Sequence, residues 1–239
     1  MKFFNKARQN ILEGNRVAKY VTYAIGEILL VVIGILIALW INNWNNDKQL
    51  AAANDEIQQK VLVQLQSDIN ELKYFKKDLD TLNEVYLKYL DRSYDATKTG
   101  TKNVFSIILF EVTELGLENY AVNLIDNAKL NNSEISEKLI DLSSIYKLYF
   151  KNISDVENII YRKVTSNLEI IEASESWYTE LMTDFKCKTD CVNYLTQDES
   201  FKARIASLRF LYVNAYGDMI NGFIYELENA QKMILDKLE

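Results

Sequence analysis

Proline is absent from all 239 residues, where average usage of about 5% would supply roughly twelve. Glycine is scarce, at seven. Tight turns and sheet edges draw on both residues. A sandwich, a barrel or a doubly wound α/β fold is therefore not expected, and long helices are. Histidine is also missing. That excludes Ser-His-Asp and Cys-His catalysis and every imidazole metal site. An excess of positive charge is lacking as well: the net charge is −7, which argues against nucleic-acid binding. What remains is a chain 49% hydrophobic and 26% charged. It is too apolar to be disordered, and long enough for one large domain or two small ones.

One apolar run dominates. Ala24 to Ile41 reads AIGEILLVVIGILIALWI, and Val21 to Tyr23 extend it. About 20 apolar residues at 1.5 Å each cross a hydrocarbon core, so a transmembrane helix is predicted over 21–44. Glu27 interrupts it. Tyr20 and Tyr23 mark one end, and Trp40 and Trp44 the other, as an interfacial aromatic belt requires. Before the run stand Lys2, Lys6, Arg8, Arg16 and Lys19 against Glu13; just after it the cations are Lys48 and Lys60. The positive-inside rule then predicts a cytoplasmic N-terminus. A cleaved signal peptide is the competing reading. Against it, the run is long, polar INNWNNDKQ follows directly, and the small residues Ala51 to Ala53 lie far downstream. Residues 1–20 form a short cytoplasmic segment. Within it Phe3, Phe4, Ala7 and Ile11 share a helical face, Lys6 and Arg8 can meet anionic head groups, and Asn15 offers a cap.

The stretch MKFFNKARQNILEGNRVAKYVTYAIGEILLVVIGILIALWINNWNN resembles a single-pass membrane family of Gram-negative bacteria, a domain of unknown function. Shared features are the basic, Phe-containing start, a YAIGEI-like entry, a VVIGILIAL-like core and an INNWN-like exit. The later YAVNLIDNAKLNNSEISEKLIDLSSIY is similar to that family's helix–Asn–helix segment. The resemblance implies an inner-membrane protein whose C-terminal part, residues 45–239, lies in the periplasm. It implies no activity and no catalytic residues.

Beyond the membrane run no glycine or proline occurs before Gly100. Leu65, Leu72, Leu79 and Tyr86 recur every seven residues, with Val61, Phe75, Leu82 and Tyr89 at most complementary positions. The pattern is heptad-like and predicts a helix from Asp47 to about Tyr94. DATKTGTKN, around Gly100, reads as a loop. A shorter helix or pair follows from Val104 to Lys129, with Gly116 as a possible break, and then a turn at LNNSE with Asn131 or Ser133 as N-cap. Two more long stripes run from Ile135 to Phe185 and from Ser200 to Leu238, the second through Leu208, Tyr212, Ala215, Met219 and Phe223. Residues 187–199 connect them. Helices with one apolar stripe must pair. The expected fold is all-α: the transmembrane helix continues into an elongated antiparallel helical bundle or coiled coil.

Cys187 and Cys191 in CKTDC would face an oxidising compartment, where a small-loop disulfide is the natural reading. A redox-active pair is the functional alternative, although such motifs more often use Cys-x-x-Cys within a βαβ unit. Two thiols without histidine make a weak metal site. Glu27 shares a helix face with Gly34 and Ala38. That face is either a packing seam for a second membrane helix, or Glu27 snorkels to Arg16 or Lys19. Acid pairs such as Asp78 and Asp80, Glu111 and Glu114, and Glu172 and Glu175 read as solvated surface rather than glycosidase chemistry. Gly217 to Gly222 has P-loop spacing, but Phe223 stands where the lysine belongs. No catalytic, cofactor or metal-binding residue is assigned, and an enzyme is not expected. The expected function is a membrane-anchored scaffold or adaptor acting through protein–protein contact, with the bilayer and either a second copy or another membrane protein as partners. The alternative is a periplasmic sensory or ligand-binding module that signals through a partner membrane protein.

Overall fold

The structure, a computed structural model, describes residues 16–91, 94 and 101–236. The expected amphipathic segment Lys2 to Leu12, the Asn15 cap, the loop at 95–100 and the last three residues lie outside the described residues, as do the side chains of Arg16 and Lys19. Among the described residues every regular element is helical. They are α1 (Arg16–Leu90), α2 (Thr101–Phe110), α3 (Tyr120–Asp126), α4 (Glu134–Ser174), α5 (Tyr178–Asp184), α6 (Thr189–Gln197), α7 (Glu199–Phe210), a π-helical turn (Leu211–Tyr216) and α8 (Gly217–Leu235). The chain divides into two compact units, Met1–Asp55 and Glu56–Glu239.

In the first unit, every side chain from Tyr20 to Gln49 is exposed. The second unit has a closed core. All eight heptad residues named above are buried there, from Val61 to Tyr89. This part of α1 meets α6, α7, the π turn and α8 in a descending order of pairs. The Tyr89 hydroxyl donates to the Leu195 carbonyl, Arg209 Nε donates to Asn83 Oδ1 at 2.8 Å, the Phe75 and Tyr216 rings lie 5.2 Å apart, and Lys73 pairs with Glu228 at 2.6 Å. So α1 and α7–α8 run antiparallel. α4 also opposes α8: Tyr149 stacks on Phe223 at 4.6 Å, and Tyr216 reaches Glu157. α1 and α4 must then share a direction, which departs from a wholly antiparallel order. The intervening stretch is long enough to carry the chain back to the starting end of the unit.

Local chemistry explains the boundaries. The Ser133 hydroxyl accepts from the Ser136 amide at 3.2 Å and caps α4, while Asn131 Oδ1 accepts from the Ser133 amide and the Ser136 hydroxyl. Both residues expected at that cap take part. α4 stops at Ser174, short of Phe185. There the Glu175 carboxylate accepts from Trp177 Nε1 at 2.8 Å and from the Ser174 hydroxyl, local bonds that compete with helix continuation. The expected connector 187–199 contains a helix of its own, α6.

The π turn corrects one stripe. An α-helical period places Ala215 and Met219 in the core after Tyr212. The structure buries Tyr216 and Ile220 instead, and leaves Ala215 and Met219 half-buried. A π turn accommodates one extra residue, which moves the inward position on by one. Nearby, Gly222 lies under Tyr149: a Cβ there would stand 2.9 Å from the Tyr149 hydroxyl, so that side chain would have to shift. Gly217 and Gly222, the two glycines of the P-loop-like spacing, both lie within helix α8.

Candidate functional site

Gly34 and Ala38 follow Glu27 by seven and eleven residues, which places each within about 20° of it on one helix face. All three are exposed, and a Cβ on Gly34 would meet nothing within 4 Å. Tyr20, Tyr23, Trp40 and Trp44 stand exposed at the two ends of the run. Lys48 Nζ lies 4.7 Å above the Trp44 ring, a cation–π contact at the boundary between apolar and polar sequence. Between those ends the surface is aliphatic apart from Glu27, up to 73% exposed at Leu30. Removing one such side chain from water is worth about 1.5–3 kcal/mol. This helix is long and apolar enough to cross a membrane.

The cysteines form a disulfide, with Cα atoms 5.2 Å apart. Cys191 sits in the first turn of α6 and is 1% exposed, while Cys187 is half-buried just before it. Lys188, the residue that precedes α6, makes no side-chain capping bond. The crosslink therefore supplies the covalent tie where a cap is missing. Around it, Tyr194 packs on Trp177 at 5.6 Å and on Phe201 at 5.6 Å. Protein isolated under alkylating conditions is expected to carry no free thiol. Replacing both cysteines with alanine should cost about 2 kcal/mol, the share of chain entropy that so small a loop removes. A denaturation midpoint unchanged by the replacement would show that the crosslink does not stabilise the fold.

Two polar sites lie inside the second unit. In the first, Asp68 is 1% exposed. Its carboxylate accepts from the Tyr146 hydroxyl at 2.5 Å and from Gln64 Nε2 at 2.7 Å. Burial raises the Asp68 carboxyl above the usual carboxylate range, against the lowering effect of the Tyr146 and Gln64 bonds. Asp68 holds the place in the heptad between Val61 and Phe75, the complementary position left unfilled by an apolar residue. That gap is the sequence signal for a buried polar layer.

The raised value fixes a pH dependence. The folded state binds the Asp68 proton more tightly than the unfolded chain does. Stability is therefore lost as pH rises from the unfolded pKa, about 4, through the folded one, and the loss is complete above it. Asp68→Asn keeps an acceptor for Tyr146 and removes the charge. Its stability relative to the parent is expected to improve from about pH 4 toward neutrality. Melting curves in which the difference is flat across that range would count against a buried, charged Asp68.

In the second site, Tyr212 and Tyr216 of the π turn meet the segment 111–118. The Tyr212 hydroxyl accepts from the Thr113 amide at 3.1 Å. The Leu115 amide donates to the Tyr216 hydroxyl and to Glu157 Oε1, both at 2.9 Å. The Tyr216 hydroxyl donates in turn to Glu157. Burial pushes the Tyr212 hydroxyl up to about 12, and raises Tyr216 further with help from Glu157. Both hydroxyls are thus neutral at ordinary pH. No sequence pattern pointed to this cluster, because the residues come from three distant segments.

The acid pairs behave as surface groups. Asp78, Asp80, Glu111, Glu114 and Glu172 are exposed, Asp80 pairs with Lys76, and Glu175 binds Trp177. Among the described residues no three of His, Cys, Asp or Glu stand together as metal ligands. A shallow groove of about 500 Å³ between α4 and α7 is lined by Ile159, Lys163, Ala206, Ser207, Phe210 and Leu211. Lys163 and Ser207 are its polar side chains. No protein-family model matches the chain, and no curated protein or solved structure matches it.

Proposed function

We propose that the chain is a single-pass inner-membrane protein, with a cytoplasmic N-terminus and a periplasmic helical bundle, that serves as a scaffold or adaptor through protein–protein contact. One observation carries the reading: the surface of α1 from Tyr20 to Trp44 is exposed throughout and, from Ala24 to Ile41, apolar except at Glu27, with two aromatic residues at either end. A disulfide in the second unit suits an oxidising compartment. The basic residues before the run suit a cytoplasmic start. The likeness of the first 46 residues to the single-pass family agrees with both. The face holding Glu27, Gly34 and Ala38 suits a second membrane helix, either another copy or a different protein.

Topology and partnership are testable together. In a cysteine-free background, a cysteine at Tyr120 should react with an impermeant reagent in the periplasm, and one at Lys6 should not. After extraction in mild detergent, the protein should migrate with a partner or a second copy, and Gly34→Leu should weaken that association. Labelling of position 6 from outside would reverse the topology. A lone monomer from native membranes, unchanged by Gly34→Leu, would remove the scaffold reading.

A further inference from the structure

Residues 111–118 (EVTELGLE) belong to no helix or strand, although they run across the core. Val112, Leu115 and Leu117 pack against that core, while Glu114, Gly116 and Glu118 are exposed. This near-alternation is that of an extended chain with one face down. The amides of Thr113 and Leu115, two residues apart, lie on one edge of such a chain. Each meets a side-chain acceptor in place of a sheet partner: the Tyr212 hydroxyl for Thr113, and the Tyr216 hydroxyl with Glu157 for Leu115. The acceptors are rigidly held. Tyr216 stacks at an angle on Phe75, Tyr212 neighbours Tyr86, and both tyrosines are fully buried. The π turn is what places Tyr216, and not Ala215, beside Glu157. Wide turns of this kind are frequent at functional sites.

Two hydroxyls and a carboxylate that read alternate amides, beside an apolar floor that takes aliphatic side chains, are the elements of an extended-peptide site. We propose that Tyr212, Tyr216 and Glu157 form a binding site for an extended aliphatic segment of a partner protein, and that residues 111–118 occupy it in cis as a releasable strap. The ligand chemistry follows from the strap: free N–H groups two residues apart, so no proline at either, and aliphatic side chains at neighbouring alternate positions. The site lies wholly within the second unit and does not depend on the membrane reading.

Hydrogen exchange on the full-length protein in detergent micelles tests release. The amides of Thr113 and Leu115 should exchange at least about tenfold faster than those of Ile153 and Ile220, through local opening. Exchange at the core rate would overturn the proposal. Occupancy is tested with a labelled synthetic peptide of sequence FEVTELGLEN. Leu115→Pro removes the amide that Glu157 and Tyr216 hold, so the emptied site should bind the peptide at least about tenfold more tightly than the parent, whose strap competes. Adding Tyr212→Phe and Tyr216→Phe should abolish that binding. A folded Leu115→Pro protein that ignores the peptide would overturn the site. If Leu115→Pro does not fold, excess peptide added to the parent decides: it should speed exchange across 111–118, and no change would overturn the site equally.

Discussion

Alkaline washing of membranes is expected to leave the protein in the pellet and to release a variant carrying Ile33→Arg and Leu36→Arg. Both residues lie mid-run and are about half exposed. An arginine at the centre of a spanning helix costs about 2.5–3.5 kcal/mol on insertion scales, so the pair costs about 5–7 kcal/mol. That is enough to reverse most insertion equilibria. The two positions point away from the Glu27 face at 100° per residue, so the change tests the bilayer and not the packing seam. The second unit would then stay in the reducing cytoplasm, so the released variant should carry free thiols at Cys187 and Cys191 until it is oxidised in vitro. A double variant that pellets like the parent would mean that lipid does not cover this surface.

Phe223→Ala is expected to be the most damaging single change in the folded unit. Phe223 is fully buried, and three rings surround it: Tyr149 at 4.6 Å, Tyr146 at 5.3 Å and Phe150 at 6.0 Å. Truncation of such a residue costs about 3–5 kcal/mol, part transfer energy and part cavity. Domains of ordinary stability hold about 5–15 kcal/mol in all. For a unit of this size a loss of that order lowers the melting temperature by about 6–20 °C. The damage should also reach Asp68, because Tyr146 packs on Phe223 with its ring and binds Asp68 with its hydroxyl. Chemical denaturation gives the cost directly. A loss below about 1 kcal/mol would mean that the three rings close over the gap.

The heptad of α1 and the cap at Ser133 were legible because each depends on near neighbours in sequence. Leu65, Leu72 and Leu79 repeat at the period that one helix imposes on its own buried face. The polar layer at Asp68 left a trace, the missing apolar residue, but its partner Tyr146 could not be read, since nothing local links residues 68 and 146. The π turn was illegible for a different reason. Both Ala215 and Tyr216 can sit in a helix core, and the choice falls to α4 and the strap, which supply Glu157 and Leu115 as partners for Tyr216. The shared direction of α1 and α4 was likewise set by what the connecting stretch does between them.

Counted along the buried stripe, the spacing runs Leu208, Tyr212, Tyr216, Ile220, Phe223, Leu227, with three successive steps of four where an α-helical seam alternates three and four. The turn at Leu211–Tyr216 behaves as a phase shifter. It takes up one surplus residue within six positions and hands α8 on in step with α1 and α4. A chain shortened by one exposed residue there, Asn214, would recover the plain alternation with every later apolar side chain still facing inward. The length of this helix can therefore change by one residue without any partner helix changing its sequence.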